Sequence, residues 1–288
     1  MKKRLLTSVI YVLVLIALIA LKWLVPAGWG SLGFDALFCA ISVIGSIELL
    51  RAIKTVPLAQ RALTIAYCSA IVPIYVLTEI TMGMGWISAL ALTVLYVIAQ
   101  LIFMFTRFNG CTGKSTVASL FTMAYCGVLC CILAVLNHLA HSLEAVILLF
   151  LVVMLTDGAA FVFGILFKRW LPQKLAPEIS PNKTVVGGAG GILGGIAGAI
   201  LAYFIYFGFN NIGAFAVDLK MLGAFALIGF ITSVAAQGGD LFESAIKRKC
   251  NIKDMGKLLP GHGGVLDRFD SMLFSGLVVM LGFIIIYI

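Results

Sequence analysis

Nine stretches of roughly twenty residues, almost free of charge, divide this chain: 5–24, 32–50, 63–80, 86–105, 117–136, 145–167, 188–209, 222–237 and 272–288. About twenty apolar residues is the length at which an α-helix crosses the hydrocarbon of a bilayer. A soluble core cannot absorb nine of them. Only 11% of the residues are charged and 62% are hydrophobic, where a soluble domain carries about 25% charged residues. Helices and closed barrels are the structures that satisfy their backbone in lipid, and the two-residue alternation of a barrel is absent. The expected fold is an all-α polytopic membrane helical bundle with about nine transmembrane helices. The sixth and seventh spans are expected to be broken helices. The first span has the charged start of a signal peptide. Its apolar run is too long for one and lacks a small-residue cleavage site, so it is expected to remain uncleaved.

The net charge of +8 is informative through its placement. With nine spans the connecting loops alternate sides, and eighteen of the twenty Lys and Arg residues fall on the side of the N-terminus; Lys22 and Lys220 fall on the other. Cytoplasmic loops carry the excess of Lys and Arg. The N-terminus is therefore expected in the cytoplasm and the C-terminus outside, and the charge does not point to nucleic acid. Residues 1–140 are expected to form an N-terminal region of five spans, and residues 141–288 a second region of four spans with its cytoplasmic loops. The seven cysteines lie mostly inside apolar runs without pairing or metal spacing, and read as small buried hydrophobes.

The longest polar run is 238–271. It holds five of the twelve carboxylates and six of the twenty basic residues. Asp240, Glu243, Ser244 and Lys247 fall at i, i+3, i+4 and i+7, so in a helix they share one face; Asp267 and Asp270 share a face in the same way. A Gly-rich turn, Gly261-His262-Gly263-Gly264, lies between the two acidic pairs. Spacing alone leaves two readings. One is a solvated loop between two spans. The other is a site where carboxylates hold divalent cations and bases neutralise phosphate.

The run Ser244-x-x-Lys247-Arg248, Lys253-Asp254, Leu259-Pro260-Gly261-His262-Gly263-Gly264-x-x-Asp267-Arg268-x-Asp270 resembles the signature of the phosphatidate cytidylyltransferases, also called CDP-diacylglycerol synthases. Two upstream blocks add to the resemblance. One is Ser180-Pro181-Asn182-Lys183-Thr184, where Pro177 and Pro181 forbid a continuous helix and Gly187, Gly188, Gly190 and Gly191 follow. The other is Thr156-Asp157, near the middle of the sixth span, where an ionised acid costs roughly 2.5–3.5 kcal/mol and should face a partner or a wet cavity. Two departures stand out. Val185-Val186 replaces the family's usual Trp-Glu after Lys183-Thr184, and Gly158 follows Asp157. The resemblance covers the C-terminal half; the N-terminal half is similar in hydropathy alone.

The resemblance implies a nucleotidyltransferase of the inner or plasma membrane, with its active site facing the cytoplasm. CTP and phosphatidate would give CDP-diacylglycerol and pyrophosphate for phospholipid synthesis, with Mg2+ as cofactor at two cation positions. Asp240 and Asp267 come first as magnesium ligands, Asp270 and Glu243 second, and Asp157 is a further candidate for metal or site wall. Asp240, Lys247, Asp267 and Asp270 are the catalytic candidates. Lys183, Ser244, Arg248 and Arg268 are assigned to substrate phosphate, with His262, Gly263 and Gly264 forming a turn whose N–H groups face it. The partners are the two substrates and the membrane, and a homodimer is allowed. A CTP-dependent polyprenol or dolichol kinase, a transporter coupled through Asp157 and Glu48, and a non-catalytic relative are the alternatives.

Other features attract weaker readings. Gly110-Cys111-Thr112-Gly113-Lys114-Ser115 suggests a P-loop, but two residues separate its glycines where a Walker A loop needs four, and a span precedes it. It reads as a short turn. Asp35 and Glu48 sit in or near the second span; Glu48 lies beside a cytoplasmic loop and can snorkel. His138 and His141 occupy a short outside loop.

Overall fold

The computed structural model describes residues 2–25, 29–167, 169–210, 217–258 and 263–287. Nine helices account for most of them: α1 (Lys2–Leu24), α2 (Leu32–Ile53), α3 (Leu58–Met82), α4 (Gly85–Phe105), α5 (Gly113–His138), α6 (Ser142–Leu166), α7 (Val185–Asn210), α8 (Leu219–Lys249) and α9 (Leu266–Tyr287). Helices α2 to α9 provide eight segments long and apolar enough to cross a membrane, and α1 carries a shorter apolar stretch, Val12–Leu24. The chain is an all-α polytopic membrane bundle, as expected. Among the described residues the β structure is a two-stranded antiparallel hairpin, β1 (Lys174–Ala176) and β2 (Ser180–Thr184), with Lys174 opposite Thr184.

The expectation of broken sixth and seventh spans is overturned. α6 and α7 run unbroken over 25 and 26 residues. The helix breakers Pro177 and Pro181 lie in the hairpin and its turn instead. The glycines of α7 stay helical because they let α6 approach: a Cβ on Gly198 would stand 2.8 Å from the Leu151 carbonyl oxygen, and one on Gly191 3.2 Å from that of Thr156. The irregular span is α5, whose residues Met123–Val128 form a π-helical turn. There Gly127 faces the Tyr67 ring, which a Cβ would meet at 2.6 Å. The helix start behind the rejected P-loop is a capping box: Ser115 N donates to Thr112 Oγ1 and Thr112 N to Ser115 Oγ.

The chain forms two compact units, residues 1–138 with 250–269, and residues 139–249 with 270–288. In the first, polar side chains inside the spans bond one another: Gln60 Nε2 donates to Thr116 Oγ1, and Gln100 Nε2 to the Tyr96 hydroxyl. Pro73 removes the backbone donor that would have served the Ser69 carbonyl; Cys39 Sγ lies 3.8 Å from that oxygen as a weak donor. In the second unit α6, α7 and α8 pack through small residues. A Cβ on Gly195 would stand 2.8 Å from Thr156 Oγ1, and one on Gly229 2.9 Å from the Gly195 carbonyl oxygen.

Candidate active site

In the second unit the acids and bases of the polar run converge at the end of α8. Helix α8 continues well past the apolar stretch read from the sequence, to Lys249. Asp240, Glu243, Ser244 and Lys247 therefore do lie along one helical face. Lys247 Nζ stands 2.8 Å from Glu243 Oε2, and Ser244 Oγ lies 3.4 Å from Asp240 Oδ1. Glu243 is fully buried and Asp270 is 7% exposed. The Asp270 carboxyl is within hydrogen-bonding reach of Glu243, while Glu243 Oε1 accepts no hydrogen bond. Asp270 Oδ1 accepts from Ser271 N at 2.7 Å. A Cβ on Gly239 would meet the Asp270 carbonyl oxygen at 2.7 Å, so the glycine lets α9 lie close to α8.

The hairpin completes this cluster. Lys183 Nζ stands 2.6 Å from Asp240 Oδ2. Arg248 Nε donates to the Ile179 carbonyl oxygen at 3.2 Å, so this predicted phosphate ligand also ties the end of α8 to the hairpin turn. Thr184 Oγ1 accepts from Gly187 N at 3.0 Å and caps α7. Gln237 Nε2 donates to the Gly188 carbonyl oxygen at 3.1 Å. Five of the predicted residues thus gather at this end of the second unit as two adjacent groups, Lys183 with Asp240 and Lys247 with Glu243 and Asp270.

In the first unit Asp267 ties the two described ends of the signature loop together. Asp267 Oδ2 accepts from Gly264 N at 2.8 Å and from Met255 N at 2.9 Å. Gly263 has φ +85°, and a Cβ there would also stand 2.8 Å from Asp267 Oδ2, so glycine is required on both counts. Arg268 is exposed in the first turn of α9. His262 lies outside the described residues.

A family model described as "Cytidylyltransferase family" matches residues 2–286. The chain belongs to the cytidylyltransferase family. Curated relatives named phosphatidate cytidylyltransferase are 40% identical over 136 residues in Staphylococcus haemolyticus (strain JCSC1435), 43% over 135 residues in Staphylococcus saprophyticus, and 41% over 136 residues in Staphylococcus aureus (strain COL). In each case the match covers 47% of this chain, and the chain spans about half, 47%, of the relative's own length.

Among the described residues of this family member, no three His, Cys, Asp or Glu side chains gather closely enough to hold a metal by themselves. The Glu243–Asp270 pair nevertheless fits a divalent cation. Both carboxyls are buried and near one another, and Glu243 Oε1 has no hydrogen-bond partner among the described residues. Magnesium is commonly held by one or two carboxylates, with water and substrate phosphate in its other positions. Asp157 lies on an exposed face of α6, one residue after the fully buried Thr156. Asp35, an acid in the second span, is held by polar partners. Its Oδ1 accepts from Asn137 Nδ2 at 2.8 Å and its Oδ2 lies 2.9 Å from His138 Nε2, with Lys22 Nζ bound to the Asn137 oxygens and to Ser31. His141 stands 2.9 Å from Glu144 and stacks on Tyr287.

Sequence reasoning missed two participants. Gln237 ends an apolar run and looks like a span boundary. Glu48 looks like a snorkelling acid. Its partners are the backbone N–H groups of Val265 and Leu266, more than two hundred residues away, and no local pattern encodes such a contact.

Proposed function

We propose that this chain transfers the cytidylyl group of CTP to phosphatidate, releasing pyrophosphate and leaving CDP-diacylglycerol in the membrane. The observation that carries the proposal is the buried Glu243–Asp270 carboxyl pair, near Lys247 and the Lys183–Asp240 ion pair. Family membership and the names of the relatives support the substrates.

A phosphatidate oxygen attacks the α-phosphorus of CTP. One P–O bond forms, the bond from the α-phosphorus to the bridging oxygen breaks, and pyrophosphate leaves with that oxygen. The attacking oxygen is already anionic at neutral pH, so the chain need not supply a strong base. Its work is positioning and charge neutralisation. Lys247 is held along α8 by Glu243, and Lys183 is presented by β2; both would receive triphosphate oxygens. Asp240 keeps Lys183 extended until phosphate arrives. Glu243 and Asp270 would hold a magnesium ion, which supplies neutralisation of charge on the attacking and leaving oxygens. Arg268, Gly263 and Gly264 are assigned to phosphate from the signature. The distribution of Lys and Arg supports a cytoplasmic face for the site.

The test uses purified protein in detergent with labelled CTP and phosphatidate, with and without magnesium. A lipid-linked cytidine product with matching pyrophosphate, dependent on magnesium, is expected. CDP release with a newly phosphorylated lipid would instead identify a CTP-dependent lipid kinase and overturn the proposal.

A further inference from the structure

We infer that Glu48, on α2 in the N-terminal half of the chain, is a positioning residue for cytidylyl transfer, because its buried carboxylate moulds the signature loop. The inference rests on the function proposed above. Glu48 is 5% exposed. Its Oε1 accepts from Val265 N at 3.1 Å and its Oε2 from Leu266 N at 3.0 Å. Those two N–H groups open α9. The first N–H groups of a helix have no partner within it, and a carboxylate at that end is favoured by the helix dipole.

The loop is shaped to admit this side chain. A Cβ on Gly264 would stand 2.5 Å from Glu48 Oε2, and a Cβ on Gly256 would collide with Glu48 Oε1. Two glycines, one on each side of the turn, therefore leave the space that one carboxylate fills. Asp267 closes the same loop from inside through Met255 N and Gly264 N. Each oxygen of Glu48 thus has an N–H donor and a glycine against it, and the described ends of the loop, 255–256 and 264–266, are held by Glu48 and Asp267 together. This segment ends immediately before Asp267-Arg268, the part of the signature assigned to phosphate. Loosening it is expected to weaken nucleotide binding while the spans remain folded.

The experiment compares the full chain with Glu48→Ala, Glu48→Gln, Gly256→Ala, and Gly256→Ala combined with Glu48→Ala. Glu48→Ala is expected to raise KM for CTP by about tenfold or more, with a smaller change in kcat. Hydrogen exchange at the Val265 and Leu266 amides should quicken by at least about tenfold, while the amides of α4 stay unchanged. Glu48→Gln keeps one acceptor and should fall between wild type and Glu48→Ala; it serves if the alanine variant fails to fold. Gly256→Ala should be harmful alone and nearly harmless beside Glu48→Ala, because the atom it strikes has gone. A wild-type KM and unchanged amide exchange in Glu48→Ala, or strictly additive effects of the pair, would overturn the inference and leave the proposed function standing. Wild-type protein that makes no lipid-linked cytidine would overturn the function instead, and exchange at Val265 and Leu266 would still decide whether Glu48 holds the loop.

Discussion

Lys183 Nζ lies 2.6 Å from Asp240 Oδ2, joining the hairpin strand β2 to the polar end of α8. The two side chains are 26% and 34% exposed, so the pair is partly screened and adds little to stability. Its value is in placement. Helix α8 carries its own lysine, Lys247, to Glu243; the ion pair with β2 brings a second lysine, Lys183, to Asp240.

Removal of either partner should therefore affect turnover and spare the fold. Lys183→Ala and Asp240→Ala are each expected to lower kcat/KM for CTP by about a hundredfold. Unfolding free energy should change by no more than about 1 kcal/mol, the range of an exposed pair. Steady-state kinetics and a thermal midpoint in detergent check both halves. A midpoint that collapses while kcat/KM holds would show that the pair is architectural.

The buried carboxyls make a second prediction. Two ionised carboxylates side by side repel, and a cation between them removes that repulsion. Glu243→Gln and Asp270→Asn should each weaken divalent binding by about tenfold or more and reduce turnover at limiting magnesium. Manganese binding read by electron paramagnetic resonance measures the site without relying on activity. Chelation should abolish product formation in the wild type, and restored magnesium should recover it.

The seam between α6 and α7 predicts a pure stability effect. Gly198→Val would drive side-chain atoms against the Leu151 carbonyl, where a Cβ already comes within 2.8 Å. Overpacking of this kind costs about 1–3 kcal/mol. Gly223, in α8, has nothing within 4 Å of its Cβ position. Gly223→Ala should stabilise the chain by roughly 0.5–1 kcal/mol by removing backbone freedom from the unfolded state. Thermal midpoints of the two variants should move in opposite directions, with kcat per folded molecule unchanged.

Asp35 offers the complementary control. It is a buried acid in a span, yet both its oxygens are engaged by Asn137 and His138. Asp35→Ala leaves those donors without an acceptor, at a cost of about 1–3 kcal/mol. CTP and phosphatidate kinetics should be unaltered in the folded fraction. A selective rise in either KM would show that Asp35 acts in turnover.

The all-helical membrane class, the positions of most spans and the face shared by Asp240, Glu243, Ser244 and Lys247 were legible in the sequence. Each of these depends on local facts: the thickness of a bilayer, the period of a helix and the cost of unsatisfied backbone in lipid. The signature at 244–270 and the Ser-Pro-x-Lys-Thr block were legible for the same reason, since their spacing lies within short runs. The hairpin that carries Lys183 was foreshadowed by Pro177 and Pro181, which bar a helix without saying what replaces it.

Contacts between distant segments were decided by the tertiary structure alone. Glycines of α7 that look like helix breakers keep their helix because α6 lies against them, and intrinsic propensity yields to packing. Lys183 and Asp240 find each other because β2 lies beside α8. Asp267 shows the same division: its place in the signature is a matter of sequence, but its hydrogen bonds to Met255 and Gly264 depend on how the loop turns. Glu48 is the clearest case. Its sequence neighbours describe an acid at the end of a membrane span, whereas its partners at Val265 and Leu266 exist only once the chain has folded. Periodicity reports which face a residue occupies; what stands opposite that face is set by packing between segments, which local spacing does not encode.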